Sequence, residues 1–226
     1  MCLWLSRHRG VVVSRTFDAT RGGCANLLGA ADCKSLAPTW EKVAADFASE
    51  PGVLIAKIDA EAENSKATAQ EQGITGYPTI KFFPKGSKEP EAYGGGRSEE
   101  ALVDFINSKA GTYRAPGGTL NSQAGTIEVI DSLLSKYITS NGIKDAEKLT
   151  AEIKKAAENL KNASVDYYLR AVSKLTGNPE YAMKEQTRLA GLLKKGGLAP
   201  EKIDDLQKRS NILAKFLVKE PEKSEL

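Results

Sequence analysis

The fold is decided by four runs between Cys33 and Ile106: C-K-S-L-A-P-T-W at 33–40, V-L-I-A-K-I-D-A-E at 53–61, G-I-T-G-Y-P-T-I-K-F-F-P at 73–84 and Y-G-G-G-R-S-E-E-A-L-V-D-F-I at 93–106. Leu36, Trp40, Val43, Ala44 and Phe47 recur at helical spacing and predict one apolar stripe. Pro51-Gly52 breaks that helix, and Val53–Ala56 reads as a strand buried on both faces of a parallel sheet. Asp59–Gln72 reads as a helix ended by Gly73. Pro78 cannot donate to a ladder, so it is expected at the first position of the strand that continues through Lys81-Phe82-Phe83. Pro84-Lys85-Gly86 turns the chain into a short antiparallel edge at Glu91-Ala92-Tyr93. Ala101, Leu102, Phe105 and Ile106 then give a closing helix its buried face, and Gly111 ends it.

These four runs resemble the later two-thirds of a thioredoxin-type domain of the protein disulfide isomerase family. The resemblance implies an α/β thioredoxin-like domain, incomplete at its N-terminal side, over residues 33–113. Carried over position by position, Cys33 matches the second, resolving cysteine of the family's W-C-G-H-C. Pro78 matches the cis proline, which leaves the backbone at Tyr77 and Pro78 free to pair with an incoming peptide. Lys57 matches the lysine that pairs with a buried glutamate beneath the active site, and Arg97 the loop arginine that tunes the second cysteine.

The departures bear directly on chemistry. Ala30 stands three residues before Cys33, where the attacking cysteine belongs, and the Gly-His spacer is Ala31-Asp32. Thiol–disulfide exchange starts with a thiolate attacking a disulfide sulfur, and the second cysteine then resolves the mixed disulfide. With alanine at the first position, Cys33 is expected to be a partly buried thiol rather than a nucleophile. Cys24 lies nine residues upstream in a Gly-rich segment, a poor substitute. The family's central strand, which also carries the buried glutamate, is not recognisable before Cys33, since Gly23–Gly29 does not read as a strand. Its loss predicts two open ladders, poor folding of this half, and a buried Lys57 without its counter-ion.

Residues 1–32 look foreign to the domain after them, as if its proper start had been replaced. They show no sustained period and read as loop or disorder; Val11-Val12-Val13 alone has the β-branched content of a short strand. The run that opens M-C-L-W-L-S-R-H-R-G stops being apolar after five residues and does not read as a secretory signal.

Beyond the first domain, 114–118 (R-A-P-G-G) reads as a linker and 119–219 as an all-α domain, a five-helix bundle, with a tail at 220–226. The stripes are Ile127, Ile130, Leu134, Tyr137, Ile138; then Ala146, Leu149, Ile153, Ala156, Leu160 after a cap at Asp145; then Val165, Tyr168, Leu169, Val172, Leu175. A fourth runs from Pro179 through Ala182, Leu189 and Leu193, and a fifth from Pro200 through Ile203, Leu206, Leu213, Phe216 and Leu217. With N-P-E-Y at 178–181 and L-K-K-G-G-L-A-P-E-K at 193–202, this half is similar to the helical C-terminal domain of Windbeutel-like endoplasmic-reticulum proteins. That resemblance implies binding of unfolded or disulfide-containing secretory proteins, or self-association as a homodimer. The tail K-S-E-L resembles a luminal retrieval signal, and Asn162-Ala163-Ser164 is a glycosylation sequon.

The bulk numbers exclude several classes. Among 226 residues, 32 basic and 29 acidic side chains are interleaved to a net charge of +3, which is no nucleic-acid footprint. No run is long and apolar enough for membrane insertion. Three cysteines, Cys2, Cys24 and Cys33, with the single His8 make neither a disulfide framework nor a metal site, and no cofactor is expected. The sequence therefore supports a family member of the endoplasmic-reticulum lumen that assists disulfide-linked folding but lacks the attacking thiol. The alternative is a non-catalytic chaperone working through Tyr77-Pro78 and the helical domain.

Overall fold

The computed structural model describes residues 10–15, 30–60, 62–87, 89–139, 142–158, 160 and 162–217. The chain divides into two compact units, Met1–Asn121 and Ser122–Leu226. Cys2, Cys24, most of the 1–32 segment and the 220–226 tail lie outside the described residues.

In the first unit, β1 (Gly10–Arg15), β2 (Val53–Lys57), β3 (Thr79–Phe83) and β4 (Glu91–Tyr93) form one sheet in the order β2-β1-β3-β4. Strand β1 runs parallel to β2, with Val12 opposite Ile55, and antiparallel to β3, with Val12 opposite Phe82. This corrects the expectation of open ladders. The Val-rich run from the segment that looked foreign occupies the centre of the sheet. A central position asks for backbone donors and acceptors in extended conformation, which β-branched residues favour whatever motif they came from.

Helix α1 (Ala30–Asp46) packs its expected stripe inward: Leu36, Trp40, Val43 and Phe47 are all buried, while Pro38 lies on the exposed side. Their core partners are Val53, Ile80, Phe82, Leu102, Val103 and Ile106. Strand β2 is not buried on both faces as predicted. Val53 is buried, but Leu54, whose side chain stands on the opposite face of the sheet, is 42% exposed. The predicted helix over Asp59–Gln72 shrinks to α2 (Lys66–Glu71), none of whose residues is buried. It buries no residue against the core, and short helices are weak without packing.

Helix α3 (Glu99–Ala110) starts at Ser98, whose hydroxyl accepts from the Ala101 N–H at 3.3 Å, and ends at Gly111 with φ +67°. A left-handed terminus of that kind favours glycine. Phe105 packs at the core margin, 5.9 Å from the ring of Phe82 and 4.6 Å from that of Tyr93.

The expected linker at 114–118 is a strapped hairpin instead. Arg114 bridges to Leu120 in antiparallel fashion, and the Asn121 N–H donates to the Tyr113 carbonyl at 2.8 Å. The Arg114 guanidinium, 3% exposed, donates to Glu50 Oε1 at 2.7 Å and to the Gly118 carbonyl at 2.9 Å. Asn107 holds the same residue from the other side, accepting from its N–H and donating to its carbonyl. The Pro-Gly-Gly composition behind the linker reading carries no sign that a buried arginine closes this segment.

The second unit contains α4 (Glu128–Tyr137), α5 (Ala146–Ala157), α6 (Ser164–Gly177), α7 (Tyr181–Lys195) and α8 (Pro200–Ala214). A two-stranded hairpin, β5 (Ile138–Thr139) with β6 (Gly142–Ile143), joins α4 to α5. The core is built from the predicted stripes: Ile130, Leu134, Leu149, Ile153, Tyr168, Val172, Leu189, Leu206, Leu213 and Phe216 are buried. Asp145 caps α5 through its carboxylate, and Pro200 opens α8 at the first turn. Leu160 falls outside the second stripe, beyond the end of α5, and is 40% exposed. Buried Tyr168 accepts from the Ile127 N–H at 3.1 Å and donates to Asp131 at 2.5 Å, so its phenol is satisfied on both sides. Burial, reinforced by the Asp131 carboxylate, holds that phenol protonated well above the ordinary tyrosine range.

Candidate functional site

Parallel pairing fixes where the site lies. Register places Ser14 opposite Lys57 and Arg15 opposite Thr79, so the ends of β1 and β2 and the start of β3 share one end of the sheet. Ligand sites of open α/β sheets form beyond the carboxyl ends of parallel strands. Thr79 comes directly after the Tyr77–Pro78 peptide bond, which is cis. The Thr79 hydroxyl donates to the Gly76 carbonyl at 2.6 Å and closes the turn. Tyr77 and Pro78 are half-buried, while Ile80, one step along the strand, is buried in the core.

Cys33 is the fourth residue of α1 and is 4% exposed, on the same helical face as Leu36 and Trp40. Ala30 is the first residue of that helix. The Ser35 hydroxyl donates to the Asp32 carbonyl at 2.9 Å, and Asp32 adds a carboxylate to the first turn. An acidic side chain there complements the helix dipole. It offers no sulfur.

Lys57 departs from its predicted setting. It is exposed, and its ammonium lies 2.6 Å from Glu41 Oε1 on α1. The last position of an edge strand turns this long side chain to solvent, so the feared buried cation does not arise. The pair is exposed on both sides, a type worth about 0–1 kcal/mol. Arg97 stands exposed in the loop before Ser98 and makes no ion pair among the described residues. The structure thus gathers Lys57, Tyr77 and Pro78 at one sheet end, buries Cys33 against the core, and leaves Arg97 in an exposed loop.

Sequence reasoning missed the polar cluster at the opposite end of α1. Asp46, the helix's last residue, is 3% exposed. It accepts from the backbone N–H groups of Gly117 and Gly118, and its Oδ2 has no hydrogen-bond partner among the described residues. Burial, with the Glu99 carboxylate second, pushes its pKa above the ordinary aspartate value. Only the Gly-Gly pair hinted at a close backbone approach there. Among the described residues there is no cluster of His, Cys, Asp or Glu suited to a metal ion. No described helix is long and apolar enough to cross a membrane.

Comparison with known proteins fits this architecture. The thioredoxin family model matches residues 30–108, and that of the endoplasmic reticulum protein ERp29 C-terminal domain matches 125–216. The protein disulfide-isomerase tigA of Aspergillus niger is 52% identical over 213 residues, covering 92% of this chain and 57% of the relative. The protein disulfide-isomerase erp38 of Neurospora crassa is 50% identical over 219 residues, covering 92% and 58%. A probable protein disulfide-isomerase of Medicago sativa is 40% identical over 188 residues, covering 81% and 50%. The chain therefore spans a little over half the length of the two fungal relatives. With a thioredoxin domain ahead of an ERp29-type helical domain, and half-identity to two of its fungal members, the chain belongs to the protein disulfide-isomerase family.

Proposed function

We propose that this chain acts in the endoplasmic-reticulum lumen as a client-binding member of its family and does not itself carry out dithiol exchange. The observation that carries the reading is Ala30, at the start of α1, in the position of the attacking cysteine. Exchange begins with a thiolate at that position, and alanine supplies none. Cys33 sits in the first turn but is almost fully buried, and thiol reactivity requires access as well as a lowered pKa.

The parts that hold a peptide need no thiol. The half-buried Tyr77–Pro78 turn opens β3 at the end of the sheet, where an extended client segment can pair with backbone. The helical unit adds a second surface for unfolded secretory proteins, and it is the natural place for a homodimer contact. Luminal residence is inferred from the kind of domain that matches residues 125–216.

Two assays on the full chain test this. In insulin-disulfide reduction the chain is expected to stay at the blank, while Ala30→Cys rises clear of it by restoring Cys-x-x-Cys with Cys33. In light scattering of an aggregating reduced client, both proteins are expected to suppress aggregation alike. Turnover by the unmodified chain comparable to that of Ala30→Cys overturns the non-catalytic reading. Failure of both proteins to suppress aggregation overturns the client-binding one.

A further inference from the structure

We propose that Asn162 is an acceptor for an N-linked glycan, a modification that rests on the luminal reading above. Asn162-Ala163-Ser164 has the acceptor pattern, with alanine rather than proline in the middle. The structure places it in the connection between Ala157, the end of α5, and Ser164, the first residue of α6. Asn162 and Ala163 are both exposed.

The asparagine amide is divided in use. Its Oδ1 accepts from the Ser164 N–H at 2.9 Å, and its backbone donates to the Leu160 carbonyl, also at 2.9 Å. Its Nδ2, the atom that would take the sugar, makes no hydrogen bond among the described residues. Glycosylation therefore spares the local turn, because an N-glycosylated amide keeps its carbonyl oxygen as an acceptor. Leu160, two residues earlier, is 40% exposed, and a bulky hydrophilic glycan on this connection would shield it.

The donor is an oligosaccharide linked to a polyprenyl diphosphate. The C1–O bond to the diphosphate breaks as the C1–Nδ2 bond forms. Nδ2 gives up one proton, and the lipid diphosphate leaves with the bonding electron pair. No oxidation or reduction is involved.

The test separates acceptor chemistry from location. The full chain is expressed behind a cleavable secretory leader in a eukaryotic host, beside Asn162→Gln and Ser164→Ala. Ser164→Ala removes the hydroxyl the transferase requires yet keeps the backbone N–H that Asn162 bonds, so it dissociates glycan loss from loss of the turn. The expected result is one step of gel mobility sensitive to peptide N-glycosidase, absent from both variants, with the sugar mapped to Asn162 by mass spectrometry. No step on the leader-directed chain overturns the proposal. So does unglycosylated Asn162 on protein recovered from the lumen of the native host. If the leader-directed chain is glycosylated but the native chain never enters the lumen, the luminal reading fails, and with it the modification in the cell, while the acceptor itself is established.

Discussion

In the helical unit, the residues that each helix turns into the core lie one or two turns apart in sequence: Leu149 and Ile153 on α5, Tyr168, Val172 and Leu175 on α6, Leu206 and Leu213 on α8. In the α/β unit, Val12 pairs with Ile55 on one side and Phe82 on the other, partners drawn from distant parts of the chain. The first kind of core is written as a local period, and the second as complementarity between segments that share no local signal. A sheet can therefore accept an unfamiliar central strand provided its backbone extends and its residues are β-branched. The chemistry at the end of that sheet has no such tolerance. Exchange starts from a sulfur at one position of one helical turn, and on the function proposed above alanine at position 30 keeps the scaffold and removes that step.

The sharpest way to break this comparison is Val12→Pro. Proline removes a ladder donor from a strand paired on both sides, and such a residue is essentially confined to edges and bulges. The cost should reach about 3 kcal/mol or more, as for proline in a helix interior. Hydrogen exchange is expected to lose protection across both Val53–Lys57 and Thr79–Phe83. If protection in those two segments is unchanged, β1 is not the strand that joins them.

Next in size is Arg114→Ala. Removing one partner of a buried ion pair costs about 3–5 kcal/mol, since the other charge stays buried and uncompensated. Glu50, with a side chain only 19% exposed, is the group left behind. Urea denaturation of the full chain, monitored by a probe in the first unit, should show a lower midpoint with little change in slope. Arg114→Lys should recover only part of the loss, because a single ammonium cannot reproduce the two-directional bonds to Glu50 and Gly118. Full recovery by lysine would mean that charge alone closes the hairpin.

These two sites also mark what the sequence makes legible. The stripe Leu36, Trp40, Val43 and Phe47 and those of the helical unit were legible because burial tracks a period of 3.6. The caps at Asp145 and Pro200 and the terminating Gly111 were legible because each meets a local need of a helix end. Pro78 was legible through its missing donor, and Ala30 because a motif announces its gaps. Strand β1 could not be promoted from a short apolar run to the centre of a sheet, as nothing local says what it pairs with. Nor could Lys57 be placed: the family resemblance put it inside, and its position at the end of an edge strand put it outside, against Glu41. The Asp46–Gly117–Gly118 contact and the Arg114 clamp join residues distant in sequence through polar atoms, which carry no periodic signature.

Tyr168→Phe probes the helical unit, where one polar group is embedded in the locally written core. Its hydroxyl is the acceptor for the Ile127 N–H just before α4 and the donor to Asp131. Leaving a buried donor unmet costs about 1–3 kcal/mol, and the change of shape is minimal. The expected result is a loss within that range in denaturant unfolding, with faster amide exchange at Ile127. An unchanged stability would show that water replaces the hydroxyl at no penalty and that the phenol does not help to fix the start of α4.

The smallest effect is expected at Asp46, and it appears as a pH dependence. The carboxyl is buried, faces Glu99, and is relieved only by Lys42 and the two glycine N–H groups, so its folded pKa lies above the ordinary aspartate value of 3.8. Between that value and the raised one, the native state holds a proton that the unfolded chain has released. Stability contributed by this group is therefore greatest in acid and falls as pH rises through the window, opposite to an ordinary paired aspartate. Asp46→Asn keeps a carbonyl oxygen for Gly117 and Gly118, removes the buried charge, and places an amide donor near Glu99. The variant should be more stable than the parent at neutral pH, by less than the about 1–3 kcal/mol that an unsatisfied buried polar atom costs. Its advantage should vanish as the pH drops below the ordinary aspartate range. A stability difference between the two proteins that stays constant with pH would mean that Asp46 titrates alike in both states, and the close approach of Gly118 to the end of α1 would then rest on shape alone.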